Sequence, residues 1–251
     1  MLECRLAMEK TQTTPSFRPL YDQIKILIRK GLIDGEWRPG DVIPSEMELA
    51  ARFKVSQGTV RKAIDSLAAE NLLVRRQGKG TFVASHNHER MHTRFLRIVR
   101  DDGQREPLES RLLECRRDKA CDTAAGLLDV RVGSPIFTVK RVLSFSGKPV
   151  VFDTIHLLAG QFKGLELSQI QEYRGSMYSF FESRYGVNMV RAEERIKAVA
   201  ADTEAAELLH VSVGAPLLRV DRVAMDYEDR PMEWRRGLCN SSEHCYSNVL
   251  A

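Results

Sequence analysis

Two domains of different class are predicted. One is a small helical domain closed by a β-hairpin, over residues 15–84. The other, over 93–251, is an α+β domain built on an antiparallel sheet with helices. A linker at 85–92 joins them. Three observations carry this reading. Apolar residues recur at helical spacing in three early segments and then give way to two short β runs around a glycine-rich turn. Residues 85–92 lack any periodicity. Residues 125–142 recur at 206–223 with ten identities in eighteen positions, which marks an internal repeat. A chain of 251 residues, 43% hydrophobic and 29% charged, has the composition of soluble globular domains. No apolar run approaches the ~18 residues a membrane-spanning helix needs.

The first helix is expected after Pro19, where Leu20, Ile24, Leu27, Ile28 and Leu32 share a face and Gly35 closes the pattern. Arg38-Pro39-Gly40 reads as a turn. Ser45 and Glu48 stand at capping-box spacing and open a short helix over 46–53. Lys54-Val55-Ser56 is a tight break, and Ser56 caps a third helix whose Val60, Ala63, Ile64 and Leu67 share one side. Residues 72–76 and 81–83 flank Gln77-Gly78-Lys79-Gly80 and read as a hairpin. Helix, short helix, turn, helix and wing make a winged helix-turn-helix.

The charge agrees with that order. Residues 1–84 carry 14 Lys/Arg against 10 Asp/Glu, whereas 85–251 carry 24 of each. Seven of the basic residues lie in 52–81, with only Asp65 and Glu70 acidic there. A basic patch on these elements points to a polyanion. The third helix presents Gln57, Gly58, Thr59, Arg61 and Lys62 near its positive N-terminus, within reach of base edges and phosphates. Gly78 and Gly80 let the wing tip, with Gln77, Lys79 and Thr81, approach the backbone of a duplex.

Residues 19–84 resemble the DNA-binding domain of the GntR superfamily of bacterial regulators, through PLYDQIKILIRKGLIDGEWRPGDVIPSEMELAARFKVS, TVRKAIDSLAAENLL and GKGTFV. The resemblance implies a homodimer on a two-fold, double-stranded DNA operator. It also implies DNA contacts by Arg38, Ser45, Arg52, Thr59, Arg61 and Gly80, with Ser56 beside them. The chain departs from the family at Met47 and Gln57, where Arg is common. Gln prefers adenine edges where Arg prefers guanine.

The second half repeats a short helix, a Gly-x-Pro turn, a strand, a turn and a return strand. Two such copies should form one antiparallel sheet with their helices on one face. Between them, Ser176 caps a helix carrying Met177, Phe180 and Phe181 that Gly186 ends. This half resembles the UTRA effector domain of HutC-type regulators, in SMYSFFESRYGVNMVRAEERI, AELLHVSVGAPLLRVDRV and RPMEW. That likeness implies a chorismate-lyase-like fold without lyase activity, and an effector pocket drawn from Thr93, Arg94, Phe95, Arg141, Asp153, Ser176, Tyr178 and Glu233. Leu143 replaces the second Arg of sugar-phosphate sensors, which favours a carboxylate effector over a sugar phosphate. Arg141 has an alternative role as a structural ion-pair partner of Asp153 or Glu233.

No Ser/His/Asp order, paired-carboxylate motif or phosphate-binding glycine loop supports catalysis, so a regulator is expected rather than an enzyme. Five cysteines are too few and too odd in number for a disulfide framework and read as free thiols of a cytoplasmic protein. The start of the chain does not read as a secretory signal. His86, His88 and His92 lack supporting ligands, so neither metal nor cofactor is expected.

Overall fold

The computed structural model describes residues 18–86, 96–104 and 106–248. The N-terminal unit contains α1 (Leu20–Ile33), α2 (Glu46–Phe53), α3 (Gln57–Ala69) and a hairpin of β1 (Leu73–Arg76) and β2 (Gly80–Val83). Three of the five α1 residues expected on one face enter the core: Ile24, Ile28 and Leu32 pack on Leu49 of α2 and on Val60, Ala63, Ile64 and Leu67 of α3, whereas Leu20 and Leu27 are exposed at the edge of that face. Gly31 is required where α1 meets Trp37, because a β-carbon there would lie 2.5 Å from Cζ3 of the indole. Residues 40–43 run along β2 through bonds such as Ile43 N to Thr81 O (2.9 Å) and Val83 N to Asp41 O (2.8 Å), which tie the wing to the helices.

Both expected caps form. Ser45 and Glu48 bond each other's backbone in a full capping box, and Ser56 Oγ accepts from Thr59 N at 3.2 Å. Lys54 ends α2 in the left-handed region at φ 56°, making the tight turn that sets α3 across α2. Ser56→Ala should therefore lower stability by about 1 kcal/mol through the lost cap. Thermal unfolding checks this, and a parent-like midpoint would show that the α3 terminus is satisfied in another way.

The C-terminal unit is a six-stranded antiparallel sheet of β4 (Leu108–Lys119), β5 (Pro135–Phe145), β6 (Lys148–Leu158), β9 (Pro231–Cys239), β8 (Pro216–Met225) and β7 (Arg191–Ala200), in that spatial order. The order is symmetric about the β6–β9 seam, so the repeat is a pseudo-two-fold. Each copy carries one more strand than the sequence pattern suggested: β4 precedes α4 (Asp122–Leu128), and β7 precedes α7 (Thr203–Leu209). The two repeat helices share a face, as expected, but they cross over. Helix α4 packs on β9 with Trp234 and Ile136, and α7 packs on β6 with Phe152.

The opposite face is covered by α5 (Leu167–Glu172) and α6 (Met177–Tyr185), which lie between the copies in sequence. Phe162, Phe180 and Phe181 pack there on Val139, Ile155 and Leu157. Gly186 ends α6 at φ 67°, as the sequence indicated. A two-stranded piece of β3 (Ile98–Arg100) and β10 (His244–Tyr246) closes one end of this face.

The units touch. Val190 and Tyr227 join the winged-helix core, and Arg29 lies 3.6 Å from Asp229. Ser85 and His86, expected to begin a linker with few contacts, are instead 4% and 3% exposed. The Glu182 carboxylate on α6 is the physical reason, since it accepts from Ser85 Oγ and from His86 N (2.8 Å), satisfying both polar residues. Residues 87–92 of the expected linker lie outside the described residues.

Candidate functional site

The candidate DNA surface is α3 with the wing. Gln57, Gly58, Arg61 and Lys62 are exposed on α3, as are Arg38, Ser45, Arg52, Ser56 and the wing residues Gln77, Gly78, Lys79 and Gly80; Thr59 and Thr81 are half-buried. Positive φ at Gly78 (69°) and Gly80 (108°) folds the wing tip, a conformation open to residues without a β-carbon.

Several of these side chains are already engaged. Glu46, at the first position of α2, accepts from Arg61 Nε (2.9 Å), Arg75 Nη1 (2.9 Å) and Gln57 Nε2 (3.3 Å). The Arg61 bond holds the Glu46 carboxyl below its usual range. Arg52 pairs with Glu36 and lies over Trp37, 5.5 Å from the ring centre. Lys62 sits 4.0 Å above the Tyr21 ring. Arg52 and Lys62 are thereby pre-positioned, and Arg61 is held at the mouth of the α2–α3 groove.

The second site is a cavity of about 770 Å³ between the sheet and the α5–α6 cover. Its floor is read from strand register. Leu112, Arg141, Asp153, Gly237 and Val220 stand side by side across β4, β5, β6, β9 and β8. One row away lie Leu143, Val151 and Cys239, and on the other side Arg235 and Arg222. Ser176, Met177 and Tyr178 at the start of α6 form part of the opposite wall.

A buried ion network organises the charged rows. Asp153 Oδ2 accepts from Arg141 Nε (2.9 Å) and Nη2 (2.8 Å), and from Arg235 Nη1 at 3.3 Å. Arg235 also grips Glu233 with Nε (3.0 Å) and Nη2 (2.9 Å), and Tyr178 OH donates to the same carboxylate at 2.8 Å. Arg222, the repeat mate of Arg141, bonds Glu194 at 2.7 Å because Arg235 occupies the place Asp153 takes in the first copy. Burial would raise the Asp153 carboxyl, but Arg141 and Arg235 outweigh it and hold it below its usual range. Burial pushes the Tyr178 phenol up to about 12, with Arg235 opposing and Glu233 assisting.

Four expected pocket residues, Arg141, Asp153, Ser176 and Tyr178, line this one cavity. Glu233 does not line it. It is fully buried behind the wall, where it anchors Tyr178 and Arg235. Thr93, Arg94 and Phe95 lie outside the described residues. Arg222 and Arg235 were not anticipated from the sequence, although the repeat that aligns Arg141 with Arg222 was a signal for the first. The ring of His86 turns to the Met189 carbonyl (2.9 Å). His88 and His92 lie outside the described residues.

Comparison with known proteins then places both units. Residues 20–83 match the family described as bacterial regulatory proteins, gntR family, and residues 103–244 match the UTRA domain. The repressor NagR of Bacillus subtilis is 30% identical over 208 residues, covering 81% of this chain and 83% of NagR. The chain belongs to the GntR family. It is a GntR-type transcriptional regulator with a UTRA effector domain, and its relatives are named regulators rather than enzymes. A GntR-family ligand-binding domain from Bordetella bronchiseptica is 44% identical with a TM-score of 0.61, covering 62% of this chain and 98% of that one. The structure of PhnF from Mycobacterium smegmatis is 26% identical with a TM-score of 0.53, covering 91% of this chain and 99% of PhnF. No helix among the described residues is long and apolar enough to cross a membrane.

Proposed function

We propose that this GntR/UTRA regulator is a ligand-responsive repressor. It binds a two-fold operator as a homodimer through α3 and the wing, and a small anionic metabolite, a carboxylate rather than a sugar phosphate, releases it. The observation that carries this reading is a single helix with two duties. Helix α6 begins at the cavity with Ser176 and Tyr178. One turn later its Glu182 accepts from Ser85 and His86, two and three residues beyond the last wing residue. Tyr178 also packs on the His86 ring, with centroids 5.4 Å apart.

A ligand releases DNA only if it binds the non-competent arrangement more tightly than the competent one. A shift of α6 on the cavity would act on the end of the winged helix through Glu182 and Tyr178, re-aiming the two recognition helices of a dimer. Linkage then requires that operator DNA weaken effector binding by the same factor. NagR and PhnF are named repressors, which supports the sense of regulation.

The test has two arms. Duplexes selected by the full chain from a random pool should carry two inverted half-sites, with a dimer in light scattering; a monomer on one unrepeated site refutes the two-fold reading. Glu182→Ala should bind the selected operator like the parent, yet need at least about fivefold more of the releasing fraction of a host small-molecule extract, given couplings of about 1–3 kcal/mol. Equal release midpoints for both proteins would remove the α6–wing contact from the switch.

A further inference from the structure

The cavity floor holds an unanswered pair of groups. Asp153 takes its bonds from Arg141 and Arg235 on Oδ2, and no described donor reaches Oδ1. Oδ1 stands over Gly237, where a β-carbon would lie 3.1 Å from it. This glycine leaves open the space through which a ligand can reach the carboxylate. Arg141 spends Nε and Nη2 on Asp153, and no described acceptor takes Nη1. An acceptor and a cationic donor therefore sit side by side on the floor, both on residues at least nine-tenths buried.

The neighbouring row is apolar. Its Leu143, Val151 and Cys239 form one cluster with Val220 at the end of the Asp153 row and Ile98 of β3. Several polar groups on the wall already have partners: Ser176 caps α6, accepting from Ser179 N at 3.1 Å, Tyr178 donates to Glu233 and Tyr246 to Glu194, and Arg222 and Arg235 pair with Glu194 and Glu233. A sugar, with a hydroxyl on nearly every carbon, would set some of them against this apolar row, where Leu143, Val151 and Cys239 offer no carboxylate, amide or hydroxyl partner.

We propose that the cavity takes an apolar-bodied hydroxycarboxylic acid, its carboxylate on Arg141 and the adjacent hydroxyl donating to Asp153 Oδ1. Its hydrocarbon body lies along Leu143, Val151 and Cys239. A hydroxyl is preferred to an ammonium because Asp153 already answers two guanidinium groups, and a third cation beside them would be repelled. This inference rests on the reading of the cavity as the effector site and narrows the chemistry of the effector.

The experiment is isothermal titration calorimetry of the full chain with four probes: 3-phenyllactate, 3-phenylpropionate, phenylalanine and glucose 6-phosphate. Phenyllactate should bind at least about tenfold more tightly than phenylpropionate, since the only difference is a hydrogen bond to a charged acceptor. It should also exceed phenylalanine and glucose 6-phosphate. Gly237→Ala, whose new methyl group crowds Oδ1 without a positive φ to strain the strand, should still fold, with one cooperative melting transition, and abolish the preference for the hydroxyl. Equal affinity for phenyllactate and phenylpropionate, tighter binding of glucose 6-phosphate, no binding of any probe, or a hydroxyl preference that survives Gly237→Ala would each overturn the proposal. Failure of the underlying reading looks different: the selected operator would not be released by any small-molecule fraction.

Discussion

Replacement of Glu233 by alanine should destabilise the effector domain by about 3–5 kcal/mol, the cost of leaving one member of a buried ion pair without its partner. Glu233 is fully buried and receives three hydrogen bonds, two from Arg235 and one from Tyr178. Its loss leaves Arg235 with Asp153 as its one described carboxylate partner, at 3.3 Å, on an oxygen that Arg141 already holds by two shorter contacts. Tyr178→Phe removes only one of the three bonds and should cost about 0.5–3 kcal/mol. Differential scanning calorimetry separates them. A shift of about 2–4 °C per kcal/mol predicts a fall of roughly 6–20 °C for Glu233→Ala. A fall under 2 °C would mean that water or a rearranged Asp153 replaces the carboxylate at little cost.

The same network marks the boundary of what was legible in the sequence. The winged helix was readable because its signals are local: Ser45 and Ser56 cap, Glu48 completes the box, and apolar spacing names the face that packs. The repeat was readable because two copies repeat the same turn chemistry. Strands β4 and β7 were not readable. Both lie at sheet edges with exposed or half-exposed residues throughout, so period-two alternation is blurred by Glu, Arg and Lys on both sides. Arg235 was missed for a different reason. Its role depends on β6 pairing with β9 so that Asp153 faces Gly237 and Arg235 stands one row away, and that register joins segments about eighty residues apart. Glu233 was expected among the pocket residues, but its depth behind the wall follows from packing and not from spacing. Ser85 and His86 read as linker because a polar pair looks solvated until a distant carboxylate, Glu182, is seen to receive it.

Arg61→Ala should weaken operator binding by about 1–3 kcal/mol, which is roughly 5- to 150-fold, if Arg61 reads a base. The free protein holds this arginine in waiting. Its Nε lies 2.9 Å from Glu46, which also takes Arg75 and Gln57, so three groups of the α3–wing surface are tied to one carboxylate of α2. Contact with DNA requires Arg61 to exchange Glu46 for a base edge or a phosphate. Arg61 is mostly exposed, and exposed pairs are worth about 0–1 kcal/mol, so the exchange costs little. The carboxylate nevertheless adds a negative charge where phosphates must approach. Glu46→Gln should therefore tighten binding to any duplex while narrowing the gap between operator and unrelated DNA, because the released cations serve phosphates as well as bases. Fluorescence anisotropy at fixed salt, with the selected operator and a scrambled duplex, resolves the roles. A loss confined to the operator in Arg61→Ala assigns base reading, whereas an equal loss on both duplexes assigns a phosphate contact. An unchanged affinity on both would take α3 out of the major groove and leave the Arg61–Glu46 pair as a surface contact between two helices.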